Sequence, residues 1–468
     1  MYTVLKEGSF DFLMQRRVVF HIDVNSAFVS WSAVKILSEG GPDIRLVPSV
    51  VSGDPSDRRS IVAAKSIPCK KYGIATAEPV SMALRKCPTL VIVRGDWEWY
   101  KTCSANFIGI CRTFSPVLQQ FSVDECFIEM TDFLKGKDPV SVADSLREEV
   151  KARLGFTVNV GVGSNKLLAK MASDFEKPDK VHTLWSSEVE TKMWPLPVRD
   201  LLWVGRRTEE RLTAYGVRTI GQLAALPLPA LSRLVGRKFA SQMHDNACGV
   251  DDSQVVTEEA EAKSYSAERT FARDISEPKS LDRELFNVAV EVAHRIRMDE
   301  FYAGGVSVFV KTKDFEVRSR QCTIQQPTDV TALILNEARR MIPSVWDGVT
   351  PLRQVGLGVF KLTHEDGLQL SLFEDENIEY YRKWDREYDE NIARKSVQSR
   401  HRQRGKEKAL VFSYRTGEEA LAAAKSSVRE HRGFTMGRKP LADGTDCFEV
   451  LDASGAVIEK HTVLLIKR

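Results

Sequence analysis

The sequence is poor in the features that most quickly fix a function. Its eight cysteines are scattered through 468 residues with no paired spacing, so neither a zinc site nor a disulfide framework organises the chain. Nothing in it reads as a cleaved leader or a membrane span, and a reducing cytoplasm is the expected compartment, with no membrane partner. An excess of one charge is missing too. The formal net charge is only +3, so any surface for a polyanion has to come from local basic patches balanced by acids elsewhere. The length exceeds one ordinary hydrophobic core, and several domains are expected.

What the chain does contain is a pair of carboxylates in an awkward place. Phe121-Ser122-Val123-Asp124-Glu125-Cys126-Phe127-Ile128-Glu129 sets two adjacent acids in a run of strand-forming apolar residues. Side chains alternate faces along a strand, so a buried strand cannot hide both, and an unpaired buried carboxylate is strongly disfavoured when ionised. A turn between two strands could aim both at one Mg²⁺, a hard ion that takes oxygen ligands. Taken alone, the pair reads as solvated acids on a surface hairpin.

A third acid shifts the balance. Arg17 to Val24 reads as a short strand that carries Asp23 near its end. Asn25-Ser26 then supply capping residues for a helix over Ala27 to Leu37. Asp23 therefore belongs to a strand-to-helix junction, where a sheet fixes a ligand and leaves it open to substrate. Asp23, Asp124 and Glu125 together supply the three acids of a two-metal phosphoryl-transfer site.

Three motifs in order complete the pattern: His21-Ile22-Asp23-Val24-Asn25-Ser26-Ala27-Phe28, Ser122-Val123-Asp124-Glu125, and Gly161-Val162-Gly163-Ser164-Asn165-Lys166 continuing through Ala169-Lys170-Met171-Ala172-Ser173-Asp174 to Lys177-Pro178. They resemble the signatures of the Y-family, lesion-bypass DNA polymerases, nearest to the bacterial DNA polymerase IV and SOS mutagenesis branch. The resemblance covers roughly residues 17 to 375, and several motifs agreeing in order are far more specific than any one. It implies an α+β multidomain, right-hand fold: a ferredoxin-like palm (1–30 and 96–190), small fingers (31–95), a helical thumb with a helix-hairpin-helix (191–250), a linker (251–262) and a βαββαβ little finger (263–365). A clamp-binding and basic tail (366–408) and a small α/β unit of unrecognised role (409–468) follow.

The resemblance also implies roles. Asp23, Asp124 and Glu125 would be catalytic and hold two Mg²⁺ ions, with the backbone of Val24 adding an oxygen. Phe28 matches an aromatic steric gate beneath the sugar of the incoming deoxynucleoside triphosphate; its alternative is a core Phe. Lys70 and Lys177 match triphosphate contacts. The family's Tyr and Arg on the fingers helix are Ile67 and Lys70 here, so one hydrogen-bond donor and one bidentate fork are lost. Gly205, Arg206 and Arg207 in the thumb, and Lys311, Lys313, Arg318 and Arg320 in the little finger, are the expected contacts to primer-template DNA. The first glycine of the thumb hairpin is replaced by Trp203, which predicts a distorted turn. Gln369-Leu370-Ser371-Leu372-Phe373 matches the pentapeptide that docks bacterial polymerases on the sliding clamp. The activity implied is template-dependent translesion synthesis by a monomer, with no proofreading exonuclease segment. The competing readings are a non-catalytic clamp adaptor, which would be expected to lose the acids, and a small α/β DNA-binding regulator, which would not need them.

Finer expectations follow from local pattern. Strands are predicted at Leu46 to Ser52 and Ile61 to Ala64, a helix at Lys65 to Tyr72, and a palm with helices on one side and the acids on the open face. Helices are also predicted at Tyr100 to Phe114, Pro139 to Leu154, Pro229 to Cys248 and Gly417 to His431.

Overall fold

The computed structural model describes residues 17–258, 261–364 and 378–404, together with strands at 410–414, 435–440, 446–451 and 457–463. The clamp pentapeptide 369–373, residues 1–16 and the helix expected at Gly417 to His431 lie outside the described residues. The chain divides into two compact units. One runs to Pro55, resumes at Ile61, continues to Glu259 and includes the C-terminal strands; the other comprises Ala260–Glu407 with Ser56–Ser60.

In the first unit, strand β1 (Val19–Val24) leads to helix α1 (Ala27–Ser38). A small subdomain follows, made of β2 (Ser49–Ser52), β3 (Ala64–Lys65), a 3-10 turn at Ile67–Tyr72, α2 (Val80–Lys86) and β4 (Val91–Arg94). The chain then runs through α3 (Trp97–Phe114), β5 (Leu118–Gln120), β6 (Glu125–Glu129), α4 (Pro139–Leu154), β7 (Val158–Gly163), α5 (Lys166–Ser173) and β8 (Val181–Leu184). The large sheet has the order β5-β6-β1-β7-β8. Neighbouring strands among the first four are antiparallel, and β8 is added parallel to β7. That is the ferredoxin-like arrangement with one extra edge strand.

Alternation along β1 divides this sheet into two faces. Phe20, Ile22 and Val24 join Cys126, Ile128, Val158, Val160 and Val162 in the main core with residues of α1, α3 and α4. Helix α1 packs on this core through Val29, Trp31 and Ala33. His21 and Asp23 point to the other face. That face is not left open as expected: α5 lies on it, with Val19, Phe127 and Ala169 in contact with Val255. Helix α5 comes this close because β7 carries glycine where it crosses. A Cβ on Gly161 would stand 2.0 Å from the Ala169 carbonyl oxygen, and one on Gly163 2.5 Å from the Ala169 nitrogen.

Several local expectations need correction. Asn25 and Ser26 do not cap α1: Ser26 takes left-handed angles (φ 49°) with no side-chain cap bond. Asn25 instead bonds Asn159 at 3.0 Å and accepts from the Thr157 hydroxyl and the Asp179 amide. The return strand expected at Ile61 to Ala64 shrinks to Ala64–Lys65, because Ile61 bridges Pro79 instead. The thumb comprises α6 (Arg206–Ala214), α7 (Ile220–Ala224), α8 (Leu228–Val235) and α9 (Arg237–Ala247). The single helix expected from Pro229 is two, broken at Gly236 with φ 88°. The first half of the expected linker is no free tether either. Asp251 accepts from the Leu167 amide, the Ser253 carbonyl from Arg17, and Val255 is buried.

The second unit contains β9 (Ser264–Ile275), α10 (Pro278–Met298), β10 (Tyr302–Thr312), β11 (Val317–Thr328), α11 (Thr331–Met341) and β12 (Leu352–Thr363). Its sheet order is β11-β10-β12-β9, antiparallel throughout, so the same βαββαβ string is laced differently from the palm. Helix α12 (Ile378–Arg404) packs back on this unit. Asp385 accepts from the Thr331 amide at 3.0 Å, capping α11, whose own N-cap residue Val330 offers no side-chain bond. Arg297 bonds Asp389 at 2.7 Å alongside. Strands β13 (Leu410–Tyr414), β14 (Thr435–Pro440), β15 (Asp446–Leu451) and β16 (Val457–Val463) form a separate sheet.

Candidate active site

Strand pairing brings the acids together. Asp23 on β1 is the direct partner of Glu125 on β6, and the Val24 amide donates to the Asp124 carbonyl at 3.0 Å. Asp23 and the adjacent pair Asp124 and Glu125, about a hundred positions apart in sequence, therefore share one end of the palm sheet. They form one wall of a cleft of about 420 Å³ inside the first unit. Phe28, Ile67, Lys70, Thr76 and Lys177 line the rest of it, so both expected triphosphate cations and the expected gate open on the same space as the acids.

Electrostatics in this cleft are dominated by two lysines over three acids. Lys170, nearly buried, has its amine 3.4 Å from Asp23, 3.3 Å from Glu125 and 3.4 Å from Asp174. Lys177 reaches Asp23 at 2.9 Å and Asp174 at 2.8 Å. Burial pulls both amines down, but the surrounding carboxylates, Asp23 first, outweigh it and hold both pKa values above the ordinary lysine value. Glu125 is pushed up by burial, yet the His21 ring and the Lys170 charge outweigh that and bring it to about 2. Asp124 moves the other way. Burial, with the charges of Asp23 and Glu125 added, raises it despite a 2.6 Å hydrogen bond from Ser122.

His21 lies beneath these groups, fully buried and with its pKa lowered by that burial. Its Nδ1 is 2.8 Å from the Ser173 hydroxyl, which also lies 2.8 Å from the Lys170 carbonyl oxygen. Nε2 faces Glu125 at 3.5 Å, too long for a full hydrogen bond. His21, Ser173 and Lys170 were not singled out from sequence as site residues. Lys170 left one signal, its spacing of four from Asp174 and seven from Lys177, which places all three near one end of α5.

The acids suit a hard divalent cation in donor type and charge. Asp124 is raised by burial, to which the negative charges of Asp23 and Glu125 add, and a bound cation would offset both. The carboxylates are not yet gathered round one point. Among the described residues no three His, Cys, Asp or Glu side chains form a ready metal cluster, since Asp23 is turned to Lys177 and Asp124 to Ser122.

The remaining expected contacts divide. In the thumb, Gly205 is the N-cap of α6 and has no side-chain cap, so the first-turn amides of Arg206 and Arg207 stay available to a phosphate. Trp203 takes a left-handed φ of 73°, the region that favours glycine, and the residue is 58% exposed. In the little finger the four cations do not share one face. Val308 pairs with Arg320 and Val310 with Arg318, which puts both arginines on the side of the sheet that faces the helices, at its edge. Lys311 pairs with Gln354 and faces the opposite, open side beside Phe309 and Ser307. Lys313 lies in the turn after β10.

Comparison with known proteins agrees with this geometry. A family model described as the impB/mucB/samB family matches residues 22–174, its C-terminal domain matches 262–372, and a model described as the DNA polymerase-iota thumb domain matches 199–251. The DNA polymerase IV of Clostridium acetobutylicum is 35% identical over 392 residues, covering 81% of this chain and 98% of that protein. DNA polymerase IV 2 of Bacillus subtilis is 31% identical over 372 residues, covering 78% of this chain and 89% of that protein. Among solved structures, a Y-family DNA polymerase chimera superposes with a TM-score of 0.65 at 17% identity, over 74% of this chain and all of that one. The chain belongs to the Y family of DNA polymerases, in its bacterial DNA polymerase IV branch.

Proposed function

We infer that this protein is a template-dependent DNA polymerase of translesion synthesis, which joins deoxynucleoside triphosphates to a primer by two-metal nucleotidyl transfer. The observation that carries the site assignment is the register pairing of Asp23 with Glu125, with Asp124 adjacent, in a cleft that Phe28, Lys70 and Lys177 also line. In the reaction the primer 3′-oxygen attacks the α-phosphate, a new P–O bond forms, and pyrophosphate leaves. Asp23 and Asp124 would hold two Mg²⁺ ions, with Glu125 and the Val24 carbonyl completing the donors. When bound, that pair activates the attacking hydroxyl and steadies the leaving oxygen.

The chain's own residues do the rest. Lys177 and Lys70 place positive charge beside the triphosphate, and Phe28 lies under its sugar. Lys170 holds Asp23 and Glu125 close together before substrate arrives. The thumb amides at Arg206 and Arg207 take a DNA phosphate, while Lys311, Lys313, Arg318 and Arg320 supply charge from different sides of the little finger. The pentapeptide 369–373 recruits a bacterial sliding clamp to a monomeric polymerase. Primer extension with Mg²⁺ tests the core of this proposal: Asp124→Ala and Glu125→Ala should each abolish extension while primer-template binding persists, because phosphate contacts supply most of the affinity. Normal extension by both variants would remove the site assignment.

A further inference from the structure

Phe28 is packed against three other aromatic rings, and only one of them is open to solvent. Its ring stacks on Tyr100 at 4.9 Å with the planes 19° apart, meets Trp97 edge-on at 5.2 Å and leans on Trp31 at 5.8 Å. Two of these walls are fixed from behind. Trp31 is fully buried in the palm core, with its carbonyl accepting from the Trp99 ring at 2.7 Å. Tyr100 is 2% exposed and its hydroxyl is 2.7 Å from that of Ser32. Trp97, in the first turn of α3, is 61% exposed and lines a surface groove with Lys35, Ile36 and Val93.

We propose that Trp97 is a positioning residue for sugar discrimination: it closes the outer side of the Phe28 ring, so that the ring cannot swing aside when a ribose 2′-hydroxyl presses on it. The proposal rests on reading Phe28 as the sugar gate. Steric exclusion is only as strong as the wall is stiff, because a wall that yields admits the wrong substrate at the cost of displacing it. Tyr100 and Trp31 block the ring's retreat into the core. Retreat toward solvent is opposed by the Trp97 edge contact, and one aromatic pair of this kind corresponds to roughly a 2- to 10-fold change in an equilibrium.

The test is steady-state insertion of a deoxynucleotide and the matching ribonucleotide by the full chain. Trp97→Ala should lower the deoxy-to-ribo ratio of kcat/KM by roughly 2- to 10-fold, chiefly by raising the ribonucleotide value, and Trp97→Phe should restore most of it. Because the Trp97 ring is largely exposed, the alanine variant should stay folded, which a melting curve checks. Phe28→Ala is the control. If Phe28→Ala relaxes sugar choice and Trp97→Ala does not, the proposal for Trp97 fails while the gate stands. Equal losses on both sugars in Trp97→Ala also overturn it, since that is the mark of general destabilisation. If Phe28→Ala leaves sugar choice intact, the gate fails first and Trp97 with it.

Discussion

Replacing Lys170 by Met tests how the acids are held in the absence of a metal ion. Met keeps most of the packing volume and removes only the charge. At an effective dielectric of about 20, each amine–carboxylate contact at 3.3–3.4 Å is worth about 5 kcal/mol before desolvation. Most of that is offset by the cost of burying the ions, and the net loss on breaking such a group is about 3–5 kcal/mol. Lys177 still pairs with Asp23 and Asp174 in the variant, so the lower end, about 3 kcal/mol, applies. For a unit of this size that corresponds to a melting temperature lower by about 6 °C in EDTA. Added Mg²⁺ should recover part of the loss, because a bound cation replaces the missing charge, and the wild type should gain less. Scanning fluorimetry across a Mg²⁺ series reads both effects. A variant that melts with the wild type in EDTA, or that shows the same response to Mg²⁺, would refute the idea that Lys170 balances the acids.

Other predictions follow from single features of the chain. Changing Leu372 and Phe373 to Ala should leave distributive extension unchanged and abolish stimulation by a bacterial clamp, because apolar anchors carry most of such an interface; equal stimulation of variant and wild type would return the motif to packing. Gly163→Ala puts a methyl 2.5 Å from the Ala169 nitrogen and 2.8 Å from the Leu168 carbonyl carbon, so α5 has to lift from β7; the expected result is a loss of about 3 kcal/mol or an insoluble protein, and a soluble variant with wild-type melting would contradict the packing. Asp385→Ala removes the cap that α12 lends to α11 and leaves Arg297 one carboxylate short, which should cost about 2 kcal/mol; hydrogen exchange should speed up in α12 and the first turn of α11, and unchanged protection would show that α12 is held elsewhere.

Local elements were legible in the sequence because their signals are local. Helix α4 was read to the residue: Asp138 caps it, Pro139 opens it, and Gly155 ends it with φ 72°. The three acids were legible because ionised groups in an apolar run demand an explanation. Lys170 was not, since the acids that define it, Asp23 and Glu125, lie 147 and 45 positions away. The fingers strand failed for a similar reason. Ile61 to Ala64 has the composition of a strand, but the sheet offers a partner only from Ala64 onward. Asn25 and Ser26 have the composition of a cap, yet the loop before Asp179 and the β7 strand claim the Asn25 side chain first. The four little-finger cations were grouped by nearness in sequence, while strand register decides which face each one takes, and a shift of one residue reverses it.

Strand order is where local pattern stops informing altogether. The palm and the little finger are both βαββαβ, and nothing within any one element of either distinguishes them. In the palm, β1 lies between β6 and β7, which is what makes Asp23 and Glu125 neighbours. In the other unit the last strand, β12, takes the place beside the first, β9, and β10 pairs on its far side. If the palm were laced that way, β1 would pair with β7 alone, β6 would lie at the far edge, and Asp23 and Glu125 would be separated by three strand spacings, roughly 14 Å at 4.7–4.9 Å per strand. No pair of side chains of that length meets across such a gap. The ferredoxin-like order is therefore required by the site as well as by packing: a chain that needs acids from its first and third strands at one point must place those strands side by side. The little finger, with no acids to bring together, is free of that requirement. Its central strands carry Gly356 and Gly358 opposite Phe309 and Ser307 on the open face, and the Phe309 ring lies where a Cβ on Gly356 would stand.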